Sequence, residues 1–145
     1  MTDSLLGVGL FLMQNYLIGG NAMGYKYFNN NPNLNITEDC AVRAISKVLN
    51  ISWDDAFDLL TRVAKNMGVM PSSKDATAAV LRMNGFYRET FPDCYKCYTV
   101  RDFAERNPVG KYVLDTGSHV VAVVDGDWYD MWDSHDETVY FFWTR

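Results

Sequence analysis

The sequence predicts an α+β fold in which N-terminal helices pack on a C-terminal antiparallel sheet. Three observations indicate this fold class. Apolar residues recur at helical spacing between about residues 40 and 106. After Pro108 the apolar period becomes two, which is typical of strands. Aromatic residues make up 14% of the chain, and many cluster near the C-terminus, where they favour pleated strands.

Composition narrows the class of protein further. The 145 residues suffice for one domain, and a hydrophobic content of 48% with 21% charged residues excludes intrinsic disorder. The net charge of −5 and the scattered basic residues argue against a nucleic-acid partner. The three cysteines, Cys40, Cys94 and Cys97, cannot all pair with one another, which favours a reducing compartment such as the cytoplasm.

We expect residues 1–28 to be an apolar segment that packs on a domain comprising residues 29–145. Residues 4–25 carry no charge, but polar residues interrupt them, so we predict no integral membrane span. Only Asp3 precedes the apolar run, whereas a secretory signal begins with a basic region. A weak targeting signal and a start at Met23 stay open as alternatives. The apolar segment is also a candidate interface for a homo-oligomer.

A polar, turn-rich loop is predicted over residues 29–35, and residues 37–40 then lead into the first helix. Thr37 or Asp39 can cap its start. Its apolar residues fall at helical spacing and form a wide stripe: Ala41, Val42, Ala44, Ile45, Val48 and Leu49. Cys40 therefore lies in the first turn of a helix that has a largely buried face.

Three further helices are predicted from start and stop signals. The second begins at a capping box formed by Ser52 and Asp55 and ends at Gly68. The third begins near Ser72 or Ser73 and ends at residues 84–85, and the fourth covers residues 99–106, before Asn107 and Pro108.

The rest of the chain is predicted to form strands over residues 111–115, 119–124, 127–133 and 137–143. Between the second and third of these lies Asp125-Gly126, the strongest hairpin signal in the sequence. These strands account for the antiparallel sheet of the predicted fold.

Cys40 is the candidate nucleophile. A thiol at a helix N-terminus meets the positive end of the helix dipole and free backbone N–H groups, which favour the thiolate. The same N–H groups can hold a developing oxyanion. Glu38 and Asp39 are neighbouring negative charges that would raise the thiol pKa unless their side chains point away. The alternative interpretation is a buried structural cysteine.

His119 is the candidate base, since a nucleophilic thiol needs an imidazole to take its proton. Asp133 and Asp130 are the candidates for orienting that imidazole. With a three-residue turn, Asp133 lies directly across from His119, at a Cβ separation of about 5 Å. With a turn of two or four residues, Asp130 shares the face of His119 but lies several residues along the strand, too far for a direct bond. We therefore expect Asp133 to orient His119, with Asp130 as the alternative.

A second donor for the oxyanion can come from the Asn-rich loop. Asn33 and Asn35 lie just upstream of Cys40, and either can supply a side-chain N–H. Turn formation explains these asparagines equally well. Asn35 is the candidate donor that we carry forward.

Three segments resemble a known family. Residues 37–44, T-E-D-C-A-V-R-A, look like the nucleophile helix of small cysteine-peptidase-like proteins from phages and bacteria, in which D-C-x-x-R-A opens the helix. Residues 117–126 resemble their histidine strand, and residues 128–134 are similar to their Y-D-x-W-D-S strand. The order of Cys, His and Asp is that of papain-like folds, including bacteriocin leader peptidases.

The resemblance implies a papain-like cysteine peptidase fold with Cys40 as nucleophile, His119 as base and Asp133 as the orienting residue. The implied protein is a thiol protease or related hydrolase, encoded by a phage or a bacterium and located in the bacterial host cytoplasm. It cleaves a peptide, isopeptide or related amide bond of a peptide or protein substrate through a thioester. No cofactor and no metal are expected. Papain-like enzymes often carry a glutamine six residues before the cysteine, where this chain has Leu34.

Two alternatives stay open. The first is a catalytically inactive papain-like module that acts as a phage structural or host-interaction protein, because a fold by itself does not establish activity. The second is a tetrahedral zinc site formed by Cys94, Cys97, His119 and His135. The two histidines are 16 residues apart, however, whereas the second ligand pair of a compact zinc site is spaced by three to five residues.

Overall fold

A computed structural model describes residues 23–145, in which four helices and a six-stranded mixed sheet form an α+β fold. The predicted fold class is confirmed at this level. Residues 1–22 of the expected apolar segment lie outside the described residues. Within residues 23–145, no helix has both the length and the apolar character that a bilayer crossing requires.

The four helices lie where the start and stop signals predict them. They are α1 (Cys40–Leu49), α2 (Trp53–Met67), α3 (Lys74–Met83) and α4 (Val100–Arg106). The hydroxyl groups of Ser52, Ser73 and Thr99 each accept a hydrogen bond from the backbone N–H three residues further on. These caps satisfy N–H groups that have no acceptor within the helix, and they explain why α2, α3 and α4 begin where they do.

Six strands form one sheet in the order β1-β5-β4-β3-β6-β2. They are β1 (Tyr25–Tyr27), β2 (Tyr87–Glu89), β3 (Lys111–Asp115), β4 (Val120–Val124), β5 (Asp127–Asp130) and β6 (Phe141–Thr144). The prediction of a purely antiparallel C-terminal sheet is corrected here. β1 pairs with β5 in parallel, and the two edge strands β1 and β2 precede the last third of the chain. Each edge strand has three residues, too few to show a period of two in the sequence.

The turn between β4 and β5 sets the position of the candidate site. Val124 pairs with Asp127, so the turn consists of Asp125 and Gly126, with φ of 50° and 82°. Both lie in the left-handed region, which a two-residue turn of type I′ requires. β5 ends at Asp130, three residues before the end predicted from the sequence. The hairpin therefore brings His119, just before β4, close to the end of β5.

Helices cover both faces of the sheet. On one face α1, α2 and α3 bury residues such as Ile45, Leu60 and Val80 against Val113 and Ala122. On the other face α4 buries Val100 and Phe103 against Leu114, Val121 and Val123. Full burial of each large apolar side chain contributes about 1.5–3 kcal/mol. Because α1 packs on β4, the N-terminus of α1 is fixed beside the residue that precedes β4.

Candidate active site

Cys40 is the first residue of α1, within the first turn as predicted, and its side chain is half-buried. Asp39 occupies the N-cap position, but its side chain makes no capping hydrogen bond, and Thr37 does not cap the helix either. N–H groups in the first turn of a helix have no acceptor within the helix. The start of α1 therefore keeps donors for an anion that forms at the Cys40 sulfur or next to it.

The carboxylate of Asp39 is turned to other partners. Its Oδ1 accepts a hydrogen bond from Arg43 Nε at 2.8 Å, and its Oδ2 accepts one from Trp53 Nε1 at 2.9 Å. Asp39 is buried, whereas the neighbouring Glu38 is exposed. The Asp39 charge next to the thiol is thus balanced by a guanidinium, which removes the electrostatic objection to a thiolate at Cys40.

The Cys40 thiol bonds to His119, and this contact changes the ionisation of both groups. Burial raises the pKa of Cys40. Four interactions together lower it by more than burial raises it: the hydrogen bond from His119, a backbone hydrogen bond from Val120, and the charges of His119 and Arg43. The thiol pKa therefore lies below its ordinary value. Burial lowers the pKa of His119, but its hydrogen bonds to Asp130 and Cys40 outweigh this and raise it to about 9. Both shifts favour a thiolate beside an imidazolium.

Asp130, and not Asp133, orients the imidazole. His119 Nε2 lies 2.6 Å from Asp130 Oδ2, and both side chains are buried. Nε2 is therefore engaged by the carboxylate, which leaves Nδ1 for the thiol. Asp133 instead accepts a hydrogen bond from Trp128 Nε1 at 2.9 Å and pairs with His135 at 3.2 Å.

The physical reason for this correction is the length of the turn. A two-residue turn places residue 132, and not Asp133, across from His119, and the rings of Trp132 and His119 are indeed 4.4 Å apart. Asp130 is two residues from Trp132 and is therefore a diagonal neighbour of His119. Diagonal neighbours are about 7–8 Å apart at Cα, within reach of two polar side chains. The expectation that Asp130 is too far for a direct bond was wrong.

The Asp130 carboxylate is satisfied on all sides although it is fully buried. Its Oδ1 accepts hydrogen bonds from Arg43 Nη1 at 3.0 Å and from the backbone N–H of Met131 at 2.8 Å. Its Oδ2 accepts a second hydrogen bond from Ser134 Oγ at 2.9 Å. Burial raises the pKa of Asp130, but the charge of His119 and the hydrogen bonds from His119, Arg43 and Ser134 lower it more, so the carboxyl stays ionised.

Arg43 is the site residue that sequence reasoning missed. Only 3% of it is exposed, and its guanidinium joins the carboxylates of Asp39 and Asp130. It appears in the sequence only as the arginine of D-C-x-x-R-A, without a role. One signal was available, because Asp39 and Arg43 have the i, i+4 spacing of a helical ion pair. The partner on β5 could not be read from the sequence.

The candidate donors of the Asn-rich loop lie outside the linings of the two cavities that contain Cys40. Neither Asn33 nor Asn35 lines either of these cavities. The Asn35 carbonyl accepts a hydrogen bond from Asn29 Nδ2 at 3.2 Å, and the Asn33 N–H donates to Asn31 Oδ1 at 2.9 Å. These hydrogen bonds are typical of turn formation by asparagine.

The four residues of the zinc alternative do not come together. Cys94 and Cys97 form a disulfide, and Cys40 is free. The odd cysteine count favours free thiols, but a pair with C-x-x-C spacing can close locally without the third cysteine. His119 is bonded to Asp130. His135 pairs with Asp133.

Another group of ligand atoms lies within 4.8 Å, from His119, Asp130 and Glu137. These atoms could hold a metal ion, but His119 and Asp130 already bond to each other, and Asp130 has further donors on both oxygens. Glu137 is half-buried, and burial raises the pKa of its carboxyl. The hydrogen-bonded pair accounts for this grouping without a metal.

Two cavities adjoin the thiol and the imidazole. One, of about 430 Å³, extends past Ser118 towards α3 and β6, and the other, of about 980 Å³, extends past Trp132 and Ile36. Cys40 and His119 line both cavities, so a ligand in either one is adjacent to the thiol and the imidazole. In comparisons with known proteins, no family model, no curated protein and no solved structure matches this chain.

Proposed function

We propose that this protein is a papain-like cysteine hydrolase that cleaves a peptide, isopeptide or related amide bond. Cys40 is the nucleophile, His119 is the acid and base, and Asp130 orients His119. The proposal includes a phage or bacterial origin and action in the cytoplasm of the bacterial host, which the motif resemblance favours. The observation that carries it is the hydrogen-bonded series from Cys40 through His119 to Asp130.

The arrangement supplies what acyl transfer needs. The thiolate of Cys40 attacks the amide carbonyl carbon, and the carbonyl oxygen becomes an oxyanion near the first turn of α1, where N–H groups can stabilise it. His119 then donates its Nδ1 proton to the leaving amine, and the C–N bond breaks to give a thioester. Water attacks the thioester while His119 takes a proton, and the thiol is released.

Asp130 contributes by holding the imidazole rather than by moving a proton. Its bond to Nε2 fixes the ring so that Nδ1 points at the sulfur, and its negative charge stabilises the imidazolium. The buried Arg43 and Ser134 fix the carboxylate in turn. A nucleophile, a base and an orienting group in hydrogen-bond contact are the features by which such a site is recognised.

The first experiment measures the rate at which iodoacetamide alkylates Cys40 between pH 5 and pH 10, followed by mass spectrometry. We expect fast labelling with a midpoint well below the free-thiol value of about 8.5. In His119→Ala the midpoint should rise to or above that value. Cys40→Ser, which should take up no label, shows that the signal comes from Cys40 and not from Cys94 or Cys97.

The opposite result points to the inactive module. Slow labelling of Cys40 that does not depend on His119 would contradict a catalytic thiolate. The papain-like fold would then serve binding, as in a phage structural or host-interaction protein, and the search would move to protein partners.

A further inference from the structure

The cavity of about 430 Å³ beside the thiol is lined by several charged side chains. They come from α3, β2 and the end of β3: Lys74, Asp75, Arg82, Arg88 and Asp115. Three of them are cationic and two are anionic, although the chain as a whole carries a net charge of −5. The balance of charge in this cavity is therefore opposite to that of the protein.

Of the two anions in the cavity, Asp115 is paired with a cation and Asp75 lies at a helix N-terminus. Asp115 Oδ1 pairs with Lys74 Nζ at 3.2 Å and also accepts a hydrogen bond from the Gly117 N–H at 2.8 Å. Asp75 lies in the first turn of α3, where the helix dipole stabilises a negative charge. Asp75 is two helical turns from Arg82, about 10 Å along the axis.

Arg82 and Arg88 are the cations that remain. The Arg82 guanidinium lies 5.1 Å from the ring centre of Trp143, and that of Arg88 lies 3.9 Å from the ring centre of Phe141. Neither forms an ion pair with a carboxylate among residues 23–145. A guanidinium stacked on a ring keeps its N–H groups free, so both can still bind a carboxylate at the ring edge.

The two stacking rings belong to one strand. Phe141 and Trp143 are two residues apart on β6 and therefore project from the same face of the sheet. Trp143 is buried and Phe141 is half-buried, so the platform under both guanidinium groups is fixed by the core. Pre-positioned donors lose less conformational entropy when a ligand binds.

The cavity of about 980 Å³ that also contains the thiol has a different lining. It is lined by the apolar side chains of Ile36, Met131 and Trp132, by the acidic Glu38 and Glu137, and by Arg43, whose charge is already paired with two buried carboxylates. A substrate in contact with Cys40 thus meets cations without a carboxylate partner in the first cavity, and apolar and acidic groups beside a paired arginine in the second. We expect a negatively charged part of a substrate to bind in the first cavity.

We propose that the substrate carries a carboxylate within one or two residues of the scissile amide, and that Arg82 and Arg88 bind it. The carboxylate is either an acidic side chain or a terminal carboxyl group, since both present the same two oxygens to a guanidinium. This inference rests on the proposed function and names the substrate class of that site.

The test uses three isosteric probes that alkylate the thiol. They are chloroacetyl-glutamine amide, which is neutral, chloroacetyl-glutamate α-amide, with a side-chain carboxylate, and chloroacetyl-glutamine, with a terminal carboxylate. In each reaction the Cys40 sulfur forms a bond to the chloromethyl carbon and chloride leaves. We expect one charged probe to label Cys40 at least about fivefold faster than the neutral probe. The faster of the two identifies the source of the carboxylate.

The arginine variants decide whether these residues cause the preference, because the imidazolium of His119 also attracts anions. Arg82→Gln and Arg88→Gln should each reduce the preference for the charged probe. The double variant should remove most of it. Lys65→Gln, which removes an exposed cation from α2 outside the cavity, is the matched control and should leave the preference unchanged. Salt should weaken the preference in the wild type.

Two results overturn the inference and are distinguishable. In the first, Cys40 reacts rapidly with iodoacetamide, but all three probes label it at similar rates or the preference survives in the double variant. The proposed carboxylate site is then wrong, and the hydrolase proposal stands. If Cys40 is slow with iodoacetamide as well, both proposals fail together. The rate with iodoacetamide also shows whether each arginine variant keeps an intact thiol–imidazole pair.

Discussion

Arg43 and Asp130 form a buried ion pair, with 3.0 Å between Nη1 and Oδ1, on the carboxylate oxygen that does not bond to His119. Arg43 lies three residues after Cys40 on α1. The helix that carries the nucleophile therefore also carries the cation that fixes the orienting carboxylate. Any shift of α1 against β5 would disturb both contacts, which couples the geometry of the site to the packing of the helix.

Asp130→Asn should lower the reactivity of Cys40, whereas Asp133→Asn should leave it unchanged. Asparagine keeps the shape but removes the charge that raises the pKa of His119, so the ion pair with Cys40 is weakened. We expect the rate of alkylation at pH 6.5 to fall by about tenfold, which corresponds to one pKa unit.

Asp133→Asn is the matched control because Asp133 bonds to Trp128 and His135, away from the thiol. Equal effects of the two substitutions on the alkylation rate would refute the assignment of Asp130 as the orienting residue.

Arg43→Met should destabilise the protein strongly. Methionine fills much of the volume but leaves Asp39 and Asp130 buried without their guanidinium partner. Breaking a buried ion pair on one side costs about 3–5 kcal/mol. Urea denaturation followed by tryptophan fluorescence measures the change in the free energy of unfolding.

Arg62→Met provides the comparison for Arg43→Met, since Arg62 is exposed on α2. Its replacement should change the free energy of unfolding by no more than about 0.5 kcal/mol. A loss for Arg43→Met as small as that for Arg62→Met would mean that the two carboxylates are solvated or protonated without the arginine.

The contribution of His119 to stability should decrease as the pH rises. Its pKa is raised from 6.5 to about 9 in the folded protein, so the folded state binds the proton more tightly than the unfolded state. This contribution is fully present below pH 6.5 and is lost as the pH rises through about 9. The difference in unfolding free energy between wild type and His119→Gln should therefore shrink between pH 6.5 and pH 9.5.

Urea denaturation at several pH values measures this difference, with His135→Gln as the control for removing an imidazole elsewhere. A difference for His119→Gln that grows with pH would show that the histidine is neutral in the folded protein.

Asn35→Ala should leave the reactivity and any amidase activity of Cys40 within about twofold of wild type, because Asn35 does not line either cavity that contains the thiol. The comparison is the iodoacetamide rate and, once a substrate is found, kcat/KM. A loss of 100-fold in kcat with an unchanged alkylation rate is the result expected of a removed oxyanion donor. That outcome would mean that the loop moves towards the site when substrate binds.

Local signals predicted the helices and the central hairpin well. Ser52, Ser73 and Thr99 cap helices at the expected positions, and Asp125-Gly126 forms the expected turn. These features depend on a few neighbouring residues, so their physical cause is contained in the sequence. The edge strands β1 and β2 were missed because pairing with distant strands, and not their own pattern, makes them strands.

The sequence by itself determined that Cys40 lies in the first turn of a helix and that an apolar strand starts next to His119, since helix caps and apolar periodicity are local. It also indicated Asp130 and Asp133 as the two candidates for the residue that orients the imidazole of His119. Only the tertiary structure decided between them, because a change of one residue in a turn moves every later side chain to the opposite face of the strand. The same holds for Arg43, whose bond to Asp130 spans 87 residues of chain and exists only when α1 packs against the sheet.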